Sequence, residues 1–192
     1  MQMQFTPLYR IWHWMMALSV IGLLATVMLR KTFLSWRTNS EIIINKFQDA
    51  GVEVTTELAK ATAKAIRAGM WEWHYIFALF LGISILIRIY MMLSSKAQLP
   101  IIKLIQAPKE KKLQYTVYTF LCFFLMMLAL SGAFLYFYKD LGFNKESIHW
   151  VKELHELLLW PMAISVILHL GGVFKHELET KEPIISKMIH GD

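Results

Sequence analysis

Two histidines lie fourteen residues apart in the mostly apolar stretch from Val151 to Gly172, VKELHELLLWPMAISVILHLGG. Fourteen residues of α-helix rise about 21 Å and turn about 1400°, about 40° short of four whole turns. His155 and His169 would therefore point in nearly the same direction at opposite depths of a bilayer, whose apolar core is about 30 Å thick. The spacing predicts two separate sites, one near each membrane face.

Two further histidines lie near the starts of other apolar stretches. His13 occurs in YRIWHWMMAL, at the beginning of a run without charged residues that extends from Ile11 to Leu29. His74 is the fourth residue of WEWHYIFALFLGISILIRIYMML, and Arg88 follows it fourteen residues later. A further apolar stretch, from Tyr115 to Tyr138, contains neither charge nor histidine. Three of the four long apolar stretches therefore contain histidine.

The composition is typical of a membrane protein. Of the 192 residues, 56% are hydrophobic and 18% are charged, against about 25% charged in an ordinary soluble domain. The sequence predicts an all-α integral membrane protein, a four-helix bundle that forms one domain over residues 1–192. Its spans are expected at about residues 10–30, 71–93, 115–138 and 152–174. The polar segment 31–70 should contain two short helices, one capped by Ser40 and ending at Gly51, the other capped by Thr55 or Thr56 and ending at Gly69.

Lysines indicate the orientation. The connection between the second and third spans contains one acid, Glu110, among five lysines: Lys96, Lys103, Lys109, Lys111 and Lys112. Cytoplasmic loops are enriched in Lys and Arg, so this loop and both termini are expected in the cytoplasm and segment 31–70 outside. The net charge of +6 then fits contact with anionic lipid, and no nucleic-acid partner is expected.

This topology sorts the four histidines by depth. His74 and His155 fall near the external face, and His13 and His169 fall near the cytoplasmic face. Two imidazoles from different helices at one level are what a b-type haem requires, one on each side of its iron. The sequence therefore predicts two bis-histidine haems b in the core of the bundle, with metal ligands His13, His74, His155 and His169. Arg10, one turn from His13, and Arg88 are the candidate partners of the inner haem propionates.

Other roles for these histidines are open. A lone membrane histidine is commonly a hydrogen-bonded interior residue or part of a proton pathway, and zinc or iron transport would also use imidazoles. Transport sites tend to add acidic residues at mid-membrane, whereas Glu72, Glu153 and Glu156 lie at the predicted external rim. Cys122 is the only cysteine, which excludes covalent haem attachment through a cysteine pair. The remaining histidines are interpreted as non-ligands: His149, His176 and His190.

The motifs RIWHW, His74 with Arg88, and KELHE followed by His169 resemble the bacterial di-haem cytochrome b561 family. This family includes the cytochrome b subunits of membrane-bound nickel-iron hydrogenases. The resemblance extends over all four spans and implies that His13, His74, His155 and His169 are axial haem ligands. It also implies a place in the bacterial cytoplasmic (inner) membrane and quinone as a substrate.

The expected function follows from the coordination of the two predicted haem irons. Two six-coordinate haems leave no open iron position for oxygen, so electron transfer across the membrane is expected. The partners would be the quinone pool and a periplasmic donor or acceptor, such as a hydrogenase or a c-type cytochrome. YRIWHW and ELETKEPIISKMIHG are similar to hydrogenase-type subunits. The short second loop and the total length are similar to those of self-contained superoxide:quinone-type oxidoreductases, and this function is the alternative. A metal-ion transporter is a more remote alternative.

Overall fold

The computed structural model of the chain describes residues 5–94 and 98–191. Lys96 of the predicted lysine-rich loop lies outside these residues. All regular elements in the described part are helices, which confirms the predicted all-α class. They are α1 (Pro7–Lys31), α2 (Trp36–Asp49), α3 (Thr56–Ile66), α4 (Ala68–Leu93), α5 (Pro100–Gln106), α6 (Lys109–Phe137), α7 (His149–Thr180) and α8 (Ile184–Ile189).

Four helical stretches are long and apolar enough to cross a membrane. These are α1, the stretch from Thr56 to Leu93 that contains α3 and α4, and the helices α6 and α7. At most 28% of the residues in any of the four apolar windows are buried inside the protein. Most apolar side chains of these helices therefore face outward, which is stable in lipid but not in water. The protein is a multi-pass membrane protein.

The spanning helices are longer than the apolar stretches that predicted them. The last helix was expected over residues 152–174, whereas α7 runs from His149 to Thr180. Ion pairs between residues four apart lie near its two ends, Lys152 with Glu156 at 3.6 Å and Lys175 with Glu179 at 3.7 Å. Such pairs stabilise a helix in water by a few tenths of a kcal/mol each, about 0.2–0.5. They allow α7 to continue beyond its apolar part.

Contacts divide the described residues into two compact units. Unit 1 consists of residues 5–14, 82–94 and 98–191, and unit 2 of residues 15–81. In unit 1, α6 packs along α7, α5 packs on α6, and α8 lies against α7. The helix α5 was expected as loop; Pro100 at its first turn, where no backbone N–H is needed, favours its start.

In unit 2, α3 packs on α2 and its Ala59 and Ala63 are completely buried. Thr55 caps α3, since its hydroxyl accepts a hydrogen bond from the Leu58 backbone N–H at 3.3 Å. The prediction that Ser40 caps the preceding helix was wrong. Ser40 lies inside α2 and donates to the Arg37 carbonyl at 2.8 Å. The Gly69 terminus was also wrong: α3 ends at Ile66 and Gly69 belongs to α4.

Candidate haem-ligand histidines

His13 on α1 and His169 on α7 face each other in unit 1. Their ring centroids are 6.4 Å apart and their planes are inclined by 56°. Two imidazoles bound on opposite sides of one metal ion, with metal–nitrogen bonds of about 2 Å, require roughly 6 Å between ring centroids. The separation of this pair therefore matches a bis-histidine site, and the structure brings together the two residues that the sequence paired near the cytoplasmic face.

Both rings contain an unsatisfied nitrogen. Nδ1 of His13 and Nδ1 of His169 are buried, and neither has a hydrogen-bond partner within residues 5–94 and 98–191. A buried polar atom without a partner costs about 1–3 kcal/mol, and such atoms mark places where an ion, a ligand or water completes the structure. The described residues therefore leave the hydrogen bonding of this imidazole pair incomplete at Nδ1.

Aromatic rings surround the pair. The ring of Tyr118 on α6 lies 5.5 Å from the His169 ring, and Trp14 meets the His13 ring edge-on at 5.6 Å. Large apolar rings are suitable walls for a porphyrin, because they exclude water and fill space without adding charge.

His74 on α4 is held by a hydroxyl of α1, both in unit 2. Oγ1 of Thr26 lies 2.9 Å from Nδ1 of His74 and donates its own proton to the Leu23 carbonyl at 2.7 Å. The Trp71 ring packs edge-on against the imidazole at 5.6 Å. Because the hydroxyl proton is already used, the threonine oxygen accepts from Nδ1–H, and Nε2 is the nitrogen with the lone pair.

His155 on α7 is held in the same way, by a hydroxyl of α6 in unit 1. Oγ of Ser131 lies 2.9 Å from Nδ1 of His155 and donates to the Met127 carbonyl at 2.7 Å. Metal-binding histidines almost always donate their second N–H to a fixed acceptor. His74 and His155 belong to different units, and each has this arrangement within its own unit.

Gly132 gives His155 its place against α6. A Cβ atom at position 132 would lie 3.1 Å from Cε1 of His155, which is too close for an ordinary contact. The absence of a side chain at position 132 therefore leaves space for the His155 imidazole.

The two candidate propionate partners are half-buried in unit 1 and contact other parts of the chain. The Arg88 guanidinium lies 5.0 Å from the centre of the Trp12 ring and donates to the Gln98 carbonyl at 3.3 Å. Arg10 donates through Nη1 to the Ile189 carbonyl at 3.2 Å, and its buried Nε has no partner in the described part of the chain. Their role towards propionates stays a prediction.

The other three histidines differ in environment: His149, His176 and His190 are exposed, whereas the four candidates are half-buried. His149 forms an ion pair with Glu153 at 3.5 Å, and Nδ1 of His190 lies 3.4 Å from the Ser186 hydroxyl. Across residues 5–94 and 98–191, no cluster of three or more His, Cys, Asp or Glu side chains could hold a metal ion. Paired imidazoles suit haem, which supplies its own equatorial nitrogens, better than a bare cation.

Sequence reasoning missed Thr26 and Ser131. One signal could have found Thr26: it lies thirteen residues after His13, about 20 Å along the helix. That position is a polar residue in an apolar run at the depth expected for His74. Ser131 gave no comparable signal, because serine is common in membrane helices.

A family model described as prokaryotic cytochrome b561 matches residues 4–191 of the chain. No curated protein and no solved structure matches it. The matched range includes all four spanning stretches and all four half-buried histidines.

Proposed function

The chain belongs to the prokaryotic cytochrome b561 family, and on this premise we propose that it binds two haems b and transfers electrons across the membrane. The family establishes a membrane b-type cytochrome with an electron-transfer role. Our proposal goes further in three respects: the number of haems, their bis-histidine ligation and the redox partners.

The observation that supports the inner haem best is the His13–His169 pair. Its centroid separation of 6.4 Å leaves the space for one metal ion between two imidazoles. Haem b supplies a reversible one-electron couple when bound. His13 and His169 together would hold the iron of a haem and leave no position for oxygen, so these residues favour electron transfer over oxygen binding.

The outer haem is proposed for His74 and His155, which the sequence-based topology places at one depth. Each presents a lone pair on Nε2, because its Nδ1–H is donated to Thr26 or Ser131. The helix α7 is continuous from His149 to Thr180, so His155 and His169 differ by about 21 Å along its axis. The two haem sites would thus serve as two steps across the membrane.

We propose quinone as the membrane partner and a periplasmic redox protein, such as a hydrogenase or a c-type cytochrome, as the external one. We also propose the bacterial inner membrane as its location, with both termini in the cytoplasm. Reporter fusions test this orientation: a C-terminal fluorescent protein should fold and fluoresce, and a phosphatase inserted at Gly51 should be active. Quinone reduction by the isolated chain with superoxide as the donor would favour the self-contained oxidoreductase instead.

Transfer across the bilayer tests the function directly. The purified chain is reconstituted into liposomes that contain ferricyanide, and dithionite is added outside. We expect the wild-type protein to reduce the trapped ferricyanide well above the rate of empty liposomes, and His169→Ala or His74→Ala to abolish the increase. The matched control is His149→Ala, which removes an exposed histidine and should retain the rate. Equal rates in the wild type and His169→Ala would overturn the proposal.

A further inference from the structure

We propose that Thr26 and Ser131 are positioning residues that fix the tautomer of His74 and His155 and lower the reduction potential of the outer haem below that of the inner haem. This inference rests on the proposed function. It adds a difference in reduction potential between the two haem sites. Because of this difference, a transferred electron would reside preferentially on one of them.

The first step concerns the proton of the Thr26 hydroxyl. A hydroxyl has one proton, and the Leu23 carbonyl, 2.7 Å away, can only accept it. A second short contact, 2.9 Å to Nδ1 of His74, must then use a lone pair of the threonine oxygen. Nδ1 is therefore the donor, and the imidazole is locked with its proton on Nδ1.

The same reasoning applies to Ser131, where the donor proton has two carbonyl acceptors on its own helix. Its Oγ lies 2.7 Å from the Met127 carbonyl and 3.2 Å from the Leu128 carbonyl. Both are backbone groups of the preceding turn, a common arrangement for serine in membrane helices. The 2.9 Å contact with His155 is therefore also a hydrogen bond donated by Nδ1–H.

The consequence is electronic. Donation of Nδ1–H to an acceptor makes an imidazole a more basic ligand. A more basic ligand stabilises the oxidised iron relative to the reduced iron, so the reduction potential falls. His13 and His169 show no such partner for Nδ1 within the described residues. The outer haem is thus the weaker oxidant, and electrons reside preferentially on the inner haem, near the cytoplasmic face.

Removal of each acceptor tests this difference. Thr26→Val keeps the shape of the side chain without an acceptor, and Ser131→Ala deletes the oxygen. Redox titration of the visible spectrum should show the outer midpoint raised in each variant and raised further in the double variant. We expect about a tenfold change in the outer reduced-to-oxidised ratio at fixed potential, which is about 59 mV for a one-electron couple. The inner midpoint should stay unchanged.

Two controls separate this role from a general packing role. Thr26→Ser retains the hydroxyl and should retain the wild-type potential. Ser19→Ala removes another buried hydroxyl of α1, whose Oγ donates to the Met15 carbonyl at 2.7 Å, and should leave both midpoints unchanged. If Thr26→Val loses the outer haem while Thr26→Ser keeps it, that loss supports the same role.

Two contrary outcomes have different meanings. Two haems with unchanged midpoints in Thr26→Val and Ser131→Ala, or an equal shift in Ser19→Ala, would overturn this inference and leave the di-haem function intact. A wild-type protein without two haems would overturn the proposed function itself.

Discussion

Arg88 is a charged side chain inside a predicted span, and its neighbours show how its charge is accommodated. Its guanidinium lies over the Trp12 ring at 5.0 Å, where the face of the ring attracts a cation. The ring is fixed in turn, because Trp12 is buried and its Nε1–H donates to the Ser84 carbonyl at 2.8 Å. Trp12 directly precedes His13 in the chain, so this cation lies in the part of unit 1 that holds a candidate ligand of the inner haem.

We expect Arg88→Leu to lower the midpoint potential of the inner haem. A reduced haem has one positive charge fewer than an oxidised one, so a nearby cation favours the reduced form. Redox titration of the visible spectrum measures the shift, and Arg88→Lys, which keeps the charge, should lie closer to the wild type. A titration curve of Arg88→Leu that superimposes on that of the wild type would contradict this role.

The approach of His13 to His169 could be predicted from sequence because helix rise converts residue spacing into depth. The hydroxyl partners could not be predicted as pairs. Thr26 is 48 residues from His74 and Ser131 is 24 from His155, and each contact depends on how two helices are rotated against each other. Rotation is determined by side-chain packing, which a periodic apolar pattern leaves open in lipid.

At the scale of elements, α6 supports the site although it has no candidate ligand. Ser131 and Gly132 are adjacent on this helix, and both act on His155: one accepts its hydrogen bond and the other leaves space for its ring. A helix without histidine can thus determine where a candidate ligand of the neighbouring helix lies.

We expect Gly132→Ala to displace His155 and reduce the occupancy of the outer haem. The added methyl group would lie 3.1 Å from Cε1 of the ring, and a shift of the ring would disturb its 2.9 Å hydrogen bond with Ser131. Haem content per chain measures the effect, with Gly82→Ala as the control, since a Cβ atom there meets nothing within 4 Å. The explanation fails if both variants retain the same haem content.

The apolar pattern located all four spanning helices, because lipid requires long uninterrupted apolar stretches. It did not locate the ends of α7, since charged side chains that pair across a turn continue the helix in water. The start of α2 was misplaced at Ser40 for a different reason. Serine is favoured at helix N-caps, but inside a helix its hydroxyl can also bond to the helix backbone. Ser40 does this with the Arg37 carbonyl, so its residue type alone did not identify the start of α2.

At the scale of the whole molecule, α7 connects the two proposed haems. It supplies His155 and His169 on one continuous helix that passes through Pro161, and the Ser165 hydroxyl donates to the Pro161 carbonyl at 2.8 Å. The separation of the two candidate ligands is therefore fixed by helix geometry. The family match covers this helix with the other three spans.

The haem content of the purified chain, measured chemically and by visible spectroscopy, decides whether the four histidines bind two haems. We expect two haems b per chain with six-coordinate, low-spin bands in the reduced-minus-oxidised spectrum, unchanged by carbon monoxide. We also expect His169→Ala to retain one of the two. A chain that binds no haem b, or one whose reduced iron binds carbon monoxide in the wild type, would contradict the bis-histidine assignment.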